Sequence, residues 1–220
     1  MDVSLRSAAP EDVPHVAAIF GRAFDDYRLG LNVTAEQLAD FWSLSLAARV
    51  EQTTVAVLPD GRIAGFAVTV APGAAEKYGG PSAVRKRVSL MLRTVGWDWF
   101  WRAPALFIPM GLAYSRRHAR QNELYVSLIG VDPECQRRGI GRALLQAVEQ
   151  EARSHNAAAI LLHTASTNMR ARAAYRRAGY ELISTVRSPW SGPANITAYV
   201  ALRKPLAQAP TPRLNAIDAT

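Results

Sequence analysis

Val131-Asp132-Pro133-Glu134-Cys135-Gln136-Arg137-Arg138-Gly139-Ile140-Gly141-Arg142 joins an apolar run over 124–131 to a long helical pattern. Pro133 has no amide hydrogen to donate, so it ends the strand. Gly139 and Gly141 then open the helix, and without a Cβ they let backbone approach a ligand closely. The first amides of a helix have no partner inside it and lie at the positive end of its dipole. Strand, tight basic loop and glycine-started helix together make a pocket for a phosphate or pyrophosphate. The plainer reading is a glycine-rich helix start that only turns the chain.

Spacing separates the folds that use this device. A Walker loop needs Gly-x-x-x-x-Gly-Lys-Ser/Thr, which is absent. A dinucleotide fingerprint needs Gly-x-Gly-x-x-Gly, and Leu144 stands at the third glycine position. What remains is Gln-x-x-Gly-x-Gly. With it the chain resembles the GCN5-related N-acetyltransferase superfamily: Gln136 to Gly141 matches its acyl-CoA pyrophosphate loop, and Val131-Asp132-Pro133 matches ahead of it. A second stretch, Asn168-Met169-Arg170-Ala171-Arg172-Ala173-Ala174-Tyr175-Arg176-Arg177-Ala178-Gly179-Tyr180, resembles the superfamily's Asn-x-x-Ala-x-x-x-Tyr-x-x-x-Gly-Phe/Tyr segment position for position. It begins 32 residues after Gln136, room for one helix and one strand. The match covers the C-terminal half; the N-terminal half matches in pattern alone.

The resemblance implies an α/β fold with a mixed central sheet flanked by helices, whose strands splay apart at the acyl-CoA site. It implies direct transfer of an acetyl group from acetyl-CoA to an amine. Backbone at Ile129, Gly130 and Val131 would pair with the pantetheine arm, and an amide near Ile129 would polarise the thioester carbonyl. Arg137, Arg138, Gly139, Ile140, Gly141 and Arg142 would wrap the pyrophosphate. Asn168 would contact the cofactor, or serve as a plain helix N-cap, or both. Tyr175 is the candidate acid, because a phenol of pKa ~10 is protonated at neutral pH and can donate to a thiolate; a core aromatic is the competing reading. Many relatives carry Glu five residues before the motif Asn. Here that residue is His163, whose ordinary pKa of ~6.5 suits a general base. A strand-end histidine is equally consistent, with Glu123, Asp132 or a water chain as base. Cys135 reads as incidental.

Composition agrees with one domain. The 220 residues suffice for a sizeable core, and 49% hydrophobic with 20% charged residues describes a globular chain. We expect one domain over 1–204 and a loose Ala/Pro-rich tail over 205–220. No run of 18 apolar residues is present. Met1 to Arg6 lacks the pattern of a signal peptide, and the single cysteine cannot form an internal disulfide, so a cytoplasmic protein is expected. The net charge of +8 invites nucleic acid. The basic residues are spread along the chain, however, and the cluster Arg137, Arg138, Arg142 suits a polyphosphate. No metal-ligand spacing or nucleic-acid signature appears, so no nucleic-acid partner is expected.

Periodicity predicts a strand over 3–6 and a helix from Pro10 carrying Val13, Val16, Ala17, Phe20 and Phe24. Thr34-Ala35-Glu36-Gln37 is a capping box for a second helix through about Arg49. Strands over 53–58 and 63–70 flank the turn Pro59-Asp60-Gly61-Arg62. Strands follow over 124–131 and 158–164, parallel and joined by a helix over 142–154. A helix over 168–178, closed by Gly179, precedes strands over 180–187 and 196–202.

The stretch over 71–121 is an insertion expected to wall the acceptor site. It holds Trp97, Trp99 and Trp101, the basic runs Arg85-Lys86-Arg87 and Arg116-Arg117-His118, and two expected helices, over 81–94 and 103–117. Core packing, membrane-surface contact and a homodimer patch are its other readings. The layout is similar to puromycin-type and other small-amine N-acetyltransferases, including Ala-Phe-Asp-Asp-Tyr at 23–27. Asp25, Asp26 and Asp98 are candidates to receive a cationic amine. The functional expectation is acetylation of a small amine, an antibiotic or amino metabolite. A peptide or protein N-terminal amine is one alternative, and a non-catalytic acyl-CoA-binding module another.

Overall fold

In the computed structural model, residues 3–74, 122–187 and 196–206 are described, with Arg85 and Ser89. Seven strands form one sheet: β1 (Ser4–Ser7), β2 (Thr53–Val57), β3 (Ile63–Val70), β4 (Glu123–Val131), β5 (Ala159–Ala165), β6 (Glu181–Arg187) and β7 (Ala198–Pro205). Their order is β1-β2-β3-β4-β5-β7-β6. The β4–β5 pair is parallel and the other pairs are antiparallel, so the sheet is mixed as expected.

Helices cover both faces. On one lie α1 (Val13–Ala23), α2 (Asp25–Leu31) and α3 (Ala35–Ala47). Val16, Phe20, Leu38 and Leu46 pack there on Phe66, Val68 and Leu128. On the other lie α4 (Ile140–Ser154) and α5 (Met169–Arg177). Leu144, Leu145, Val148 and Tyr175 pack there with Leu124, Val126, Ile160 and Leu162. Burying these side chains supplies the main driving force for the fold, at ~25 cal/mol per Å2 of apolar surface.

Two expectations change. The first helix does not run unbroken from Pro10. A 3-10 turn over Pro10–Asp12 precedes α1, and Phe24 leaves helical geometry at φ −107°, ψ 66°. Asp25 and Asp26 then restart the chain as the acidic first turn of α2, where negative charge meets the positive end of the helix dipole. The last strand runs further than expected. Pro205 still belongs to β7, and the Leu206 amide donates to the Ala158 carbonyl at 2.9 Å, with the side chain buried. The remainder of the expected tail lies outside the described residues, as do the helix expected over 103–117 and the insertion's three tryptophans; of the helix expected over 81–94 only Arg85 and Ser89 are described, and both are helical.

The capping box holds: the Thr34 hydroxyl accepts from the Gln37 amide at 3.2 Å, and Gln37 Oε1 accepts from the Thr34 amide at 2.9 Å. No helix among the described residues is long and apolar enough to cross a membrane.

Candidate active site

The β4–β5 ladder has four register pairs, from Glu123↔Ala159 to Val126↔Leu162. Beyond them β4 continues to pair only with β3, as far as Gly65↔Val131, and β5 continues with β7, as far as Ala165↔Tyr199. The two strands have parted, as the sequence resemblance implied. The parting begins at a bulge: Val68 pairs with Leu128 and Thr69 with Val126, so Ser127 is one residue too many on β4. An extra residue shifts the two-residue alternation by one. Leu124 and Val126 accordingly face α4, while past the bulge Ile129 and Val131 take over that face and Leu128 turns to the other.

Under the bulge sits Arg49, only 1% exposed. Its Nη1 donates to Ser127 Oγ at 3.0 Å and its Nε to the Ser45 carbonyl at 3.2 Å, while the guanidinium lies 5.8 Å from the Trp42 ring centre. A buried cation is held in place only where its donors are used. Here they lock the extra residue of β4.

A cavity of about 900 Å3 occupies the gap and reaches both faces of the sheet. Its walls include Ile140, Leu145 and Tyr175 from one face and Phe24, Asp26 and Tyr27 from the other. That volume lies in the usual range for a ligand site. Gly130 forms part of the wall, and a Cβ there would stand 2.9 Å from Phe66 and 3.0 Å from Phe24, so glycine lets both rings close on the strand.

The pyrophosphate-type loop is built from local geometry. Asp132 accepts from the Glu134 amide at 3.1 Å and so caps the 3-10 turn Pro133–Cys135. Arg22 of α1 reaches the same carboxylate at 2.5 Å and ties the loop to the opposite helix layer. Gln136 donates to the Val131 carbonyl at 3.3 Å. Arg137 (φ 63°) and Gly139 (φ 84°) both adopt left-handed backbone, strained for the arginine and free for the glycine. Gly139 is the N-cap of the 15-residue α4, and no atom lies within 4 Å of where a Cβ would stand on it. The first amides of α4 have no partner inside the helix, and there is open space beside Gly139. Such a site fits a diphosphate, and the parted strands above it fit an extended arm.

Of the residues singled out from sequence, Ile129, Gly130, Val131, Arg137, Gly139, Ile140, Gly141, His163, Asn168 and Tyr175 all line this one cavity. Arg138 and Arg142 do not; both are exposed beside it. Asn168 caps α5, its Oδ1 accepting from the Ala171 amide at 3.1 Å, and it also lines the cavity. Tyr175 is buried on the α4–α5 face. His163 shares strand parity with Leu161 and Ala165, which face away from α4, and its ring centre lies 5.7 Å from that of Tyr125. Phenol and imidazole thus flank the opening from opposite faces.

Two alternative bases are engaged elsewhere. Glu123 stands at the closed end of the seam, paired with Arg203 at 2.9 Å and outside the cavity lining. Asp132 is committed to Arg22 and its own turn. On the α2 side, Asp25 pairs with Arg28 at 2.7 Å. Asp26 is half-buried, and burial, then the neighbouring Asp25, push its carboxyl above the ordinary range. Sequence reading missed Ser127, Tyr199, Arg170 and Arg177, which also line the cavity. The two arginines were in reach of it, since Arg170, Ala173, Ala174 and Arg177 share one helix face.

Comparison with known proteins agrees with this geometry. Residues 18–180 match the family model described as Acetyltransferase (GNAT) family. No curated protein matches the chain. Among solved structures, the ribosomal-protein-S18-alanine N-acetyltransferase from Escherichia coli superposes with a TM-score of 0.55 at 18% identity, over 94% of this chain and 96% of that one. Ard1 from Thermoplasma volcanium gives 0.58 at 16%, over 94% and 100%. A GCN5-related N-acetyltransferase from Kribbella flavida gives 0.55 at 21%, over 93% and 98%. At such identities the likeness is one of fold. With 163 of its residues under the family model, which runs from 18 to 180, the chain belongs to the GNAT acetyltransferase family and is an acyltransferase.

Proposed function

We propose that this protein moves the acetyl group of acetyl-CoA directly to an amine of a small cationic molecule. The observation that carries the reading is the β4–β5 opening, with Tyr175 on one face and His163 on the other. Bound acetyl-CoA supplies an acyl group already activated as a thioester. The α4 amides at Gly139 to Gly141 hold its diphosphate, with Arg137, Arg138 and Arg142 adding charge and Asn168 a polar contact. The free edge of β4 at Ile129, Gly130 and Val131 holds the pantetheine arm, and an amide near Ile129 polarises the carbonyl.

His163 takes a proton from the acceptor ammonium, which enters from the α1–α3 face. The neutral nitrogen then forms its bond to the acyl carbon as the carbon–sulfur bond breaks. Tyr175, on the other face, gives a proton to the departing sulfur; the new amide nitrogen loses its second proton, which restores the phenol through solvent, and the proton held by His163 leaves as the net product of the transfer. Placing acid and base on opposite sides of the gap keeps them from neutralising one another. Asp26 receives the acceptor's positive charge: a carboxylate raised by burial is relieved by an ammonium beside it, and Phe24 and Tyr27 add aromatic faces.

Release of CoA thiol, followed against polyamines, aminoglycosides, aminonucleosides, amino acids and short peptides, tests the proposal. We expect acceptor-dependent release with small di- and polyamines. Release with peptides alone would replace the small acceptor by an N-terminal amine. Binding of acetyl-CoA without release against any acceptor would favour a non-catalytic acyl-CoA-binding module.

A further inference from the structure

Among the described residues, six arginines outside the cavity lining form ion pairs: Arg6 with Asp12, Arg22 with Asp132, Arg28 with Asp25, Arg62 with Asp60, Arg153 with Glu149 and Arg203 with Glu123; others outside it, Arg138, Arg142, Arg176 and Arg187 among them, form none. Around the mouth, Arg137, Arg170 and Arg177 line the cavity and form no ion pair among the described residues. Both α5 arginines are exposed.

At 100° per residue, Arg170, Ala173 and Arg177 fall on one edge of α5 and Tyr175 on the other, with Ala171 and Ala174 between them. Burial agrees, since Tyr175 is inside and the arginines outside. The cavity wall offered by α5 therefore runs from a buried phenol, across two small side chains, to an outer pair of guanidiniums, unpaired among the described residues and roughly 10 Å apart along the axis.

We infer that Arg170 and Arg177 bind the ribose 3′-phosphate of the acyl-CoA, so that the protein distinguishes coenzyme A from its dephospho form. This rests on the acyl-CoA reading above. If the thiol end reaches Tyr175 and the diphosphate sits at the α4 N-terminus, the adenosine half must leave the gap outward, past the outer edge of α5. A phosphate monoester there meets two guanidiniums that, among the described residues, have no carboxylate to satisfy first. Guanidinium forks bind phosphate oxygens in pairs, and the alanines leave room for the nucleoside to pass.

The test is calorimetry with acetyl-CoA and acetyl-dephospho-CoA on the full chain, at low and high salt. The wild type should hold acetyl-CoA more tightly by roughly tenfold, a gap that narrows as salt screens the exposed charges. Arg170→Ala with Arg177→Ala should bring the ratio of the two dissociation constants to about one. Arg187→Ala removes the same charge from β6, away from the cavity, and should leave the ratio intact. Equal affinity of the wild type for both donors would overturn the assignment while leaving the acyl-CoA reading standing. A preference that survives the double substitution would move the 3′-phosphate to another site. Binding of neither donor would remove the acyl-CoA reading and this inference with it.

Discussion

At one end of the β4–β5 seam, four register pairs hold the strands together and Glu123, 3% exposed in its side chain, is neutralised by Arg203 of β7. At the other end the same strands turn to different partners, and Ser127, Gly130 and His163 stand where the closed end has Leu124, Val126 and Ile160. One end is a hydrogen-bonded, apolar joint; the other is a slot. The difference lies in one inserted residue, Ser127, and in the buried Arg49 that holds it. A strand pair becomes a ligand site when its ladder is stopped at a defined place and the opening is kept from collapsing, here by Phe24 and Phe66 closing on Gly130. If the closed end carries stability and the open end the proposed chemistry, substitutions at the two should separate in what they damage.

The largest separation belongs to Gly139→Asp. Bulk and negative charge at the helix N-terminus should lower acetyl-CoA affinity by more than about a hundredfold, while the left-handed backbone at this position (φ 84°) costs only about 1 kcal/mol of stability. Calorimetry beside thermal unfolding measures both, and retained affinity would remove the loop from the site. Next comes Tyr175→Phe, which should reduce kcat by about 10²- to 10⁴-fold with donor affinity changed little. Steady-state kinetics decides it; an unaltered kcat would return Tyr175 to the core.

The closed end should respond in the opposite sense. Arg203→Met leaves the buried Glu123 without its partner. Breaking a fully buried pair costs about 3–5 kcal/mol; because Arg203 is partly exposed we expect about 2–3 kcal/mol. Urea unfolding reports the loss, and KM for acetyl-CoA should stay within a factor of about two at temperatures where the variant is folded.

The smallest effect is expected at Tyr180, whose ring centre is 5.9 Å from that of Tyr175. Its hydroxyl is buried and has no hydrogen-bond partner among the described residues. Desolvation by burial, then the nearby Tyr175 and Glu149, hold its pKa above the ordinary tyrosine value. A phenol that ionises more easily unfolded than folded leaves stability whole below about pH 10 and erodes it as pH rises beyond that. Tyr180→Phe should be neutral or stabilising by up to about 1 kcal/mol at pH 7, and should weaken the alkaline loss. Denaturant midpoints at pH 7 and pH 10.5 test this. A loss above about 1 kcal/mol at pH 7 would show that the hydroxyl is doing structural work.

Much of the cofactor side was legible beforehand because its signals are local. A proline that ends a strand, two glycines that open a helix and an asparagine that caps the next are each set by the dihedrals and hydrogen bonds of a few neighbouring residues. The break at Phe24 was less legible, since the apolar spacing runs on through it and only the acid pair after it marks a restart. Glu123 and Asp132 were plausible bases in sequence because distance along the chain does not say which carboxylates already have partners.

The amino-acid sequence by itself determined the family, the phosphate-type loop, the helix caps and the residue types of the site, because those depend on short-range backbone geometry and fixed spacing. Only the tertiary structure decided where β4 and β5 part. Residues 124–131 are almost uniformly apolar, so the one-residue slip at Ser127 leaves no mark in the hydrophobic pattern and appears only against the register of β3. It also decided that His163 and Tyr175 approach the gap from opposite faces, since the face a strand residue takes depends on the layers packed against it. Whether an arginine is paired is likewise a property of its neighbours in space, and Arg49, Arg203 and Arg177 received three different answers.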